Sequence, residues 1–257
     1  LGLVNFAHGA FLALTAYVAL TLYGSIGWAG VVAAPVIVAI IGMVVERLLL
    51  FRAYGREPRF GLIITFALSL LIEAVIRSIW GSENRPFPTP DIFRGVIQYG
   101  PILLTKYRLF VVVMTILVLL ALWLFMKYTP YGRILRAAAR DPEMIGLLGI
   151  NSKKVFTGVF GLGTFLAGVA GILASPLWSV APNMSEAALM PAFVTITIGG
   201  LGSYVGATIA GLLIGIVTAL TIQLWPEASA ASMYILMIAV LLRRPRGLFG
   251  ERWERFE

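Results

Sequence analysis

The chain has 257 residues, of which 60% are hydrophobic and only 12% charged, about half the charged share of a soluble domain. That balance excludes a water-soluble globular fold, and apolar runs much longer than about ten alternating residues exclude a β-barrel in favour of spanning helices. The net charge of +8 does not argue for nucleic acid, because most cations flank apolar runs and set orientation there, and the absence of cysteine excludes disulfides and Cys-ligated metal.

The chain begins with Leu1, not Met, and we expect a natural start, with an upstream span or signal segment, before it. Leu3 to Tyr23 is apolar except for Asn5, His8 and a few hydroxyls, and predicts a first span. Gly24 to Gly27 predicts a tight turn, and Trp28 to Leu50 a second span ending in Glu46, Arg47 and Arg52. The loop from Arg52 to Arg59 holds three arginines against Glu57 and belongs inside. Phe60 to Trp80 predicts a third span, interrupted by Glu73 and Arg77. Gly81 to Lys106 has balanced charge, and Pro86, Pro88, Pro90 and Pro101 predict an irregular outer connection. Tyr107 to Met126 predicts the fourth span.

A basic stretch follows, from Tyr128 to Lys154, with Arg133, Arg136, Arg140, Lys153 and Lys154 against Asp141 and Glu143. Between two spans, such a patch belongs on the cytoplasmic side. Pro130 cannot continue the preceding helix, and Gly132 is expected to loosen the turn. Ile134, Leu135, Ala138 and Ala139 then recur at helical spacing. Asp141-Pro142 predicts a fresh helix with an Asp cap and Pro in its first turn, and Gly149 predicts its end. The stretch predicts a short helix, a break and a second short helix, compact and cationic, lying at the inner interface.

Val155 to Ser175 predicts the fifth span, and Pro176 to Glu186 an outer loop. The tail, with Arg243, Arg244, Arg246 and Arg255, is basic and belongs inside. An odd number of crossings must therefore follow the outer loop. Ala187 to Gly199, Tyr204 to Gln223 and Ala230 to Leu242 supply three, the first and last short. The expected fold is an all-α polytopic membrane protein of about eight spans, some short or broken, with a cytoplasmic helical segment at 130–151. The break is Gly199-Gly-Leu-Gly-Ser203, and interrupted spans are expected near a translocation path.

Small residues recur every fourth place at Gly163, Ala167, Gly171 and again at Gly202, Gly206, Ala210. Such ladders let helix backbones approach closely, either within one bundle or at a subunit interface. Among ionisable residues in the spans, Glu73 and Arg77 sit four apart on one helix. They read either as a self-neutralised structural pair or as an outer mouth offering both signs to a zwitterion. His8 is the single histidine; it has no partners for a metal site and no adjacent nucleophile for catalysis, and we expect it to hydrogen-bond with Asn5 at a helix break. Thr195, Thr197 and Ser203, beside the glycine break, are candidates for a polar constriction.

Four motifs now carry a resemblance. Asn5-Phe-Ala-His-Gly9, Gly132-Arg-Ile-Leu-Arg-Ala-Ala-Ala-Arg-Asp-Pro-Glu-Met-Ile-Gly-Leu-Leu-Gly-Ile150, Gly199-Gly-Leu-Gly-Ser203 and Arg244-Pro-Arg-Gly-Leu-Phe-Gly250 follow one another in order. Together they resemble the permease subunits of the branched-chain amino acid ABC importers, over essentially the whole chain. The basic stretch is more similar to the first of that system's two paired permeases. The resemblance implies one transmembrane domain over residues 1–257, paired with a second permease, either a copy or a paralogue. Two cytoplasmic ATPase subunits would drive it and an external, periplasmic binding protein would feed it, all at a bacterial inner membrane with the basic loops and tail cytoplasmic. Relatives that carry urea, amides or other amino acids share these motifs.

No Gly-rich phosphate loop ending in Lys-Ser or Lys-Thr occurs in the chain, so ATP and Mg²⁺ are expected on the partner ATPases and no cofactor here. A separate motor must push on an inner element. The expected contact uses Gly132, Arg133, Arg136, Arg140, Asp141, Glu143 and Gly149, with Ala137, Ala138 and Gly146 packing in the motor's groove. The plainer alternative is that the arginines anchor the loop to anionic lipid. The expected translocation path uses Asn5, His8, Glu73, Arg77, Thr195, Thr197 and Ser203. A stand-alone secondary transporter or channel would favour intramembrane acids, and Glu73 already neighbours Arg77. A membrane enzyme would need clustered catalytic groups that the sequence does not contain, so no catalytic or metal-binding residue is assigned.

Overall fold

Helices dominate the computed structural model, which describes residues 5–53, 58–99 and 102–250. In chain order they are α1 (Ala7–Ile26), α2 (Trp28–Leu48), α3 (Pro58–Trp80), α4 (Lys106–Tyr128), α5 (Pro130–Arg140), α6 (Pro142–Leu147), α7 (Ser152–Trp178), α8 (Met184–Gly199), α9 (Tyr204–Leu224) and α10 (Ser229–Arg243). Seven stretches are long and apolar enough to cross a membrane: α1, α2 with the turn after it, α3, α4, α7, α9 and the run Pro226–Arg243. The short apolar helix α8, of 16 residues, stands where the sixth of the eight spans was expected. The protein is an all-α polytopic membrane protein.

Several boundaries differ from the sequence reading, each for a local reason. The turn expected at Gly24 to Gly27 contracts to one residue. Gly27, at φ +64°, reverses the chain alone, so α1 persists through Ile26. The loop expected from Pro176 begins later, because α7 runs through Pro176 to Trp178. Proline removes one helical hydrogen bond, and the ladder resumes until Ser179, at φ 65°, ends it. The connection after α3 was expected to be irregular throughout. It holds a 3₁₀ turn at Asp91–Phe93 and an antiparallel hairpin, β1 (Val96–Tyr99) with β2 (Ile102–Thr105), pairing Val96 with Thr105 and Gln98 with Leu103. The prolines at 86, 88 and 90 keep the first half irregular, whereas the strands are rich in Val, Ile, Leu and Thr, which suit a pleated surface.

Two compact units divide the chain after Ser185. In the first, α1 is the central helix, packed against α2, α3 and α7, with Phe11 and Tyr17 wholly buried. Glycines make the close approaches. A Cβ at Gly171 would lie 2.5 Å from the Leu12 carbonyl oxygen, one at Gly168 would lie 2.8 Å from Thr15 Oγ1, and one at Gly42 would meet Thr164 at 2.7 Å. Helices in lipid associate through such packing rather than through hydrophobic drive. The α7 ladder therefore works inside this bundle. At one end of the unit Trp80 Nε1 donates to Thr21 Oγ1 at 2.8 Å. There Arg85 and Val180 exchange two backbone hydrogen bonds of 2.8 Å, tying the long connection to the end of α7.

The second unit holds α8, α9, α10 and the tail. Val194, Ile198, Ala210 and Ile214 form its core, covered by Met233, Leu236, Met237, Val240 and Leu248. Two of the sequence motifs meet here. Leu248 N–H donates to the Ile198 carbonyl at 2.8 Å and Phe249 N–H to the Gly199 carbonyl at 3.0 Å. The tail thus lies as a strap against the end of α8.

Candidate functional site

The basic stretch folds into an elbow of two helices between α4 and α7. Thr129 makes the first corner. Its backbone is extended, at φ −87° and ψ 150°, and its hydroxyl accepts from Gly132 N–H at 3.0 Å, with Pro130 in the first helical turn. The same hydroxyl donates to the Phe125 carbonyl at 2.7 Å, so one side chain ends α4 and starts α5. Gly132, expected to loosen the turn, does the reverse. It sits inside α5 against the last turn of α4, where a Cβ would lie 2.5 Å from the Phe125 oxygen and 2.6 Å from the Met126 oxygen. Both are backbone atoms that cannot yield. The Arg136 guanidinium folds back and donates to the Met126 carbonyl.

The second corner follows the sequence reading. Asp141 Oδ1 accepts from Met144 N–H at 2.9 Å and caps α6, with Pro142 in the first turn. Gly149, at φ +78°, ends it, with Ile150 N–H on the Ile145 carbonyl at 3.1 Å. Asn151 then caps α7 by accepting from Lys154 N–H at 3.3 Å. Lys153 Nζ sits 4.7 Å from the Phe51 ring centre, linking the start of α7 to the turn after α2.

α5 separates its polar and apolar faces more sharply than any spanning helix here. Ala138 is turned inward and buried, as is Ile145 in α6. Arg133, Ala137 and Gly146 are exposed. The side chains of Arg140 and Glu143 lie outside what the structure describes. Beside Arg133 the elbow exposes Tyr131 at 71%, Leu147 at 84% and Leu148 at 71%. None of these three was singled out from the sequence, although large apolar residues in a polar segment are the signal that finds them. An arginine with an aromatic and two leucines on one short projecting segment is chemistry suited to a protein partner.

The residues expected along a path divide between the units. In the first unit Asn5 Oδ1 accepts from Ala7 N–H at 2.9 Å, an Asx turn ahead of α1. The expected side-chain bond between Asn5 and His8 does not form; the two are joined through the backbone, His8 N–H to Asn5 carbonyl, at 3.4 Å. The His8 ring instead meets Phe160 edge-on at 5.5 Å, and a Cβ at Gly163 would lie 2.7 Å from its Nε2. Its Nδ1 is buried with no hydrogen-bond partner among the described residues. Glu73 and Arg77 pair on α3 at 2.6 Å. In the second unit Thr195 donates to the Pro191 carbonyl and Thr197 to the Phe193 carbonyl, each at 2.7 Å. Ser203 caps α9 by accepting from Gly206 N–H at 3.0 Å. The threonine hydroxyls give their hydrogens to their own helix and keep lone pairs to offer.

One polar residue was misplaced by sequence reasoning. Glu46, read as the charged flank of the second span, is wholly buried inside α2. Its Oε2 accepts from Thr157 of α7 at 2.6 Å. Its place at the end of an apolar run hid it, since flanking charges are ordinarily solvated. Among the described residues no cluster of three or more His, Cys, Asp or Glu gathers to hold a metal ion.

The family described as "Branched-chain amino acid transport system / permease component" matches residues 1–241. The high-affinity branched-chain amino acid transport system permease protein LivH of Escherichia coli K12 is 32% identical over 97% of this chain and 86% of its own length. The corresponding Pseudomonas aeruginosa protein, BraD, is 29% identical over 97% of this chain and 87% of its own. A probable branched-chain amino acid transport permease of Methanocaldococcus jannaschii is 29% identical over 98% and 85%. No solved structure matches the chain.

Proposed function

This chain belongs to the permease-component family of branched-chain amino acid transport systems, and on that premise we propose that it forms, with a second permease, the translocation path of an ABC importer. Its substrates are branched-chain or other hydrophobic amino acids. The 257 residues act as one transmembrane domain, with 130–151 as the segment that two cytoplasmic ATPases grip. An external binding protein delivers substrate and supplies most of the specificity. The membrane is the bacterial inner membrane, with elbow and tail on its cytoplasmic face, where the arginines belong.

The observation that carries the reading is the elbow. It is the one segment among the described residues that joins a strongly amphipathic helix, an exposed arginine and exposed Tyr131, Leu147 and Leu148 between two spans. Arg133 and Arg140 are its cationic contacts; Asp141 and Gly149 shape it, and Gly132 and Arg136 fix its angle. Anchoring to anionic lipid alone would need the cations but not the apolar side chains beside them. In the first unit His8, Glu73 and Arg77 are proposed as substrate contacts, with Asn5 starting the helix that presents His8; in the second, Thr195, Thr197 and Ser203 are proposed as substrate contacts of their own unit.

The test is reconstitution. The chain is expected to co-purify with two ATPase subunits, and leucine, isoleucine or valine with the binding protein should stimulate ATP hydrolysis and uptake. Stimulation by urea or a small amide instead would move the substrate class within the family. Uptake without any ATPase would remove the ABC reading altogether. Arg140→Glu should insert normally and yet hydrolyse ATP without transport; normal uptake in that variant would dismiss the elbow as the contact.

A further inference from the structure

We propose that Tyr17, Arg77 and Arg85 form a site for the α-carboxylate of an incoming amino acid at the outer end of the first unit, with Trp80 as its cover. The inference rests on the amino acid importer reading and deepens it, adding Tyr17, Trp80 and Arg85 to the Glu73–Arg77 pair.

Tyr17 lies in α1, wholly buried, and its hydroxyl has no hydrogen-bond partner among the described residues. The threonines of the same helix are satisfied on their own backbone. Thr15 donates to the Phe11 carbonyl at 2.8 Å and Thr21 to the Tyr17 carbonyl at 2.9 Å. The phenol oxygen stands at the far end of a planar ring and cannot fold back in that way. A buried hydroxyl left unpaired is costly, and a ligand oxygen that accepts from it removes the cost.

The surroundings are cationic. Arg85 and Arg77 are the charged groups that act on this hydroxyl. Glu73, Arg77 and Trp80 fall on one stripe of α3, at the first, fifth and eighth places. Arg77 is held there by Glu73 at 2.6 Å. Arg85 is fixed from the connection that follows: its backbone pairs with Val180, and its guanidinium donates to the Trp80 carbonyl at 2.6 Å. It makes no ion pair among the described residues. An uncompensated guanidinium thus stands near a hydroxyl with a hydrogen to give. A carboxylate accepts from both and gains the strength of charge-assisted bonds, whereas a cation in its place would be repelled.

Trp80 closes the site. Its indole packs on the Tyr17 ring, centroids 5.3 Å apart, and its Nε1 donates to Thr21 Oγ1 at 2.8 Å. Thr21 is exposed, so water can take over that bond. The indole is also the last side chain of α3, directly before Gly81 at φ +85°. With the indole turned aside, the hydroxyl opens toward the face where Thr21 and Arg85 already stand exposed.

The experiment uses the purified complex of permeases and ATPases, without binding protein. It measures binding of tritiated leucine and, by competition, of leucinol, which keeps the side chain and ammonium but lacks the carboxylate. Tyr17→Phe keeps the ring and removes the hydroxyl alone. Since that hydroxyl bonds to none of the described residues, the variant should melt at or above the temperature of the parent. Its affinity for leucine should nevertheless fall roughly tenfold or more, with leucinol affinity unchanged. Arg85→Gln should lose leucine affinity likewise, and Arg85→Lys should keep most of it. Unchanged leucine binding in Tyr17→Phe or Arg85→Gln, or equal losses for leucine and leucinol, would overturn the site. So would a parent complex that imports leucine with its binding protein yet holds none without it. A parent that imports no leucine at all would instead strike the amino acid reading beneath the proposal.

Discussion

At the scale of residues, Glu46 sets the sharpest test of how this bundle tolerates polarity. It is wholly buried, with Thr157 on one oxygen and no partner for the other among the described residues. Burying such a group is costly unless hydrogen bonds compensate. Glu46→Ala leaves a void between α2 and α7 and removes the contact to Thr157, whose hydroxyl keeps the Lys153 carbonyl at 3.1 Å, and is expected to cost about 2–3 kcal/mol. Glu46→Gln keeps shape and an acceptor and should cost under about 1.5 kcal/mol. Thermal unfolding in detergent checks the order; an alanine variant as stable as the glutamine one would show that the contact contributes nothing. Two glycines on α7 give a matched contrast. Gly171→Val drives its Cβ against the Leu12 backbone and should destabilise by about 3 kcal/mol. Gly158→Ala enters open space and should be neutral or gain up to about 1 kcal/mol from helix propensity. The same melts report both, and equal effects would mean that α1 and α7 are not in this register.

At the scale of elements, the elbow is where local rules and function meet. Arg133 and Tyr131 project from α5 while Ala138 packs inward. Combining Arg133→Glu with Tyr131→Ala should reduce recovery of the ATPases at least about tenfold, as expected for losing one or two anchor side chains. Ala139→Ser, on the same exposed helix, should leave recovery unchanged. Equal recovery of the double variant would place the grip elsewhere. Much of this element was legible beforehand. Asp141-Pro142 and Gly149 are local punctuation, and their cap and stop lie where the residues dictate. Gly132 was misread, because a glycine's effect depends on what approaches it, and the approaching atoms belong to α4. The hairpin at 96–105 escaped notice beside a proline-rich half, since its register is set by pairing rather than by strong alternation. Glu46 escaped for a related reason. Its neighbour Thr157 is 111 residues away, and no local pattern carries that contact.

At the scale of the whole molecule, the number of crossings decides which face the tail occupies. α8 has 16 residues, about 24 Å of helix against a hydrocarbon core of about 30 Å. On length alone it would be discounted, leaving α7, α9 and α10 after the elbow and sending the tail to the opposite face. Two observations argue otherwise. The elbow and the tail are both arginine-rich, and basic segments share the cytoplasmic side. Within the second unit, moreover, the tail is bonded to Ile198 and Gly199 at the end of α8, so the glycine turn lies with the tail. If the tail is cytoplasmic the turn is too, and α8 must cross to reach it. Helices shorter than the core are tolerated where protein or a water-filled path surrounds them. The cysteine-free chain allows direct mapping with a membrane-impermeant maleimide. Ile92→Cys and Leu224→Cys should label in intact cells, whereas Leu147→Cys and Leu201→Cys should label only after permeabilisation. Labelling of Leu201→Cys from outside, with Leu147→Cys still protected, would mean that α8 turns back within the membrane and that the tail's arginines defy the charge rule from which the elbow's own placement follows.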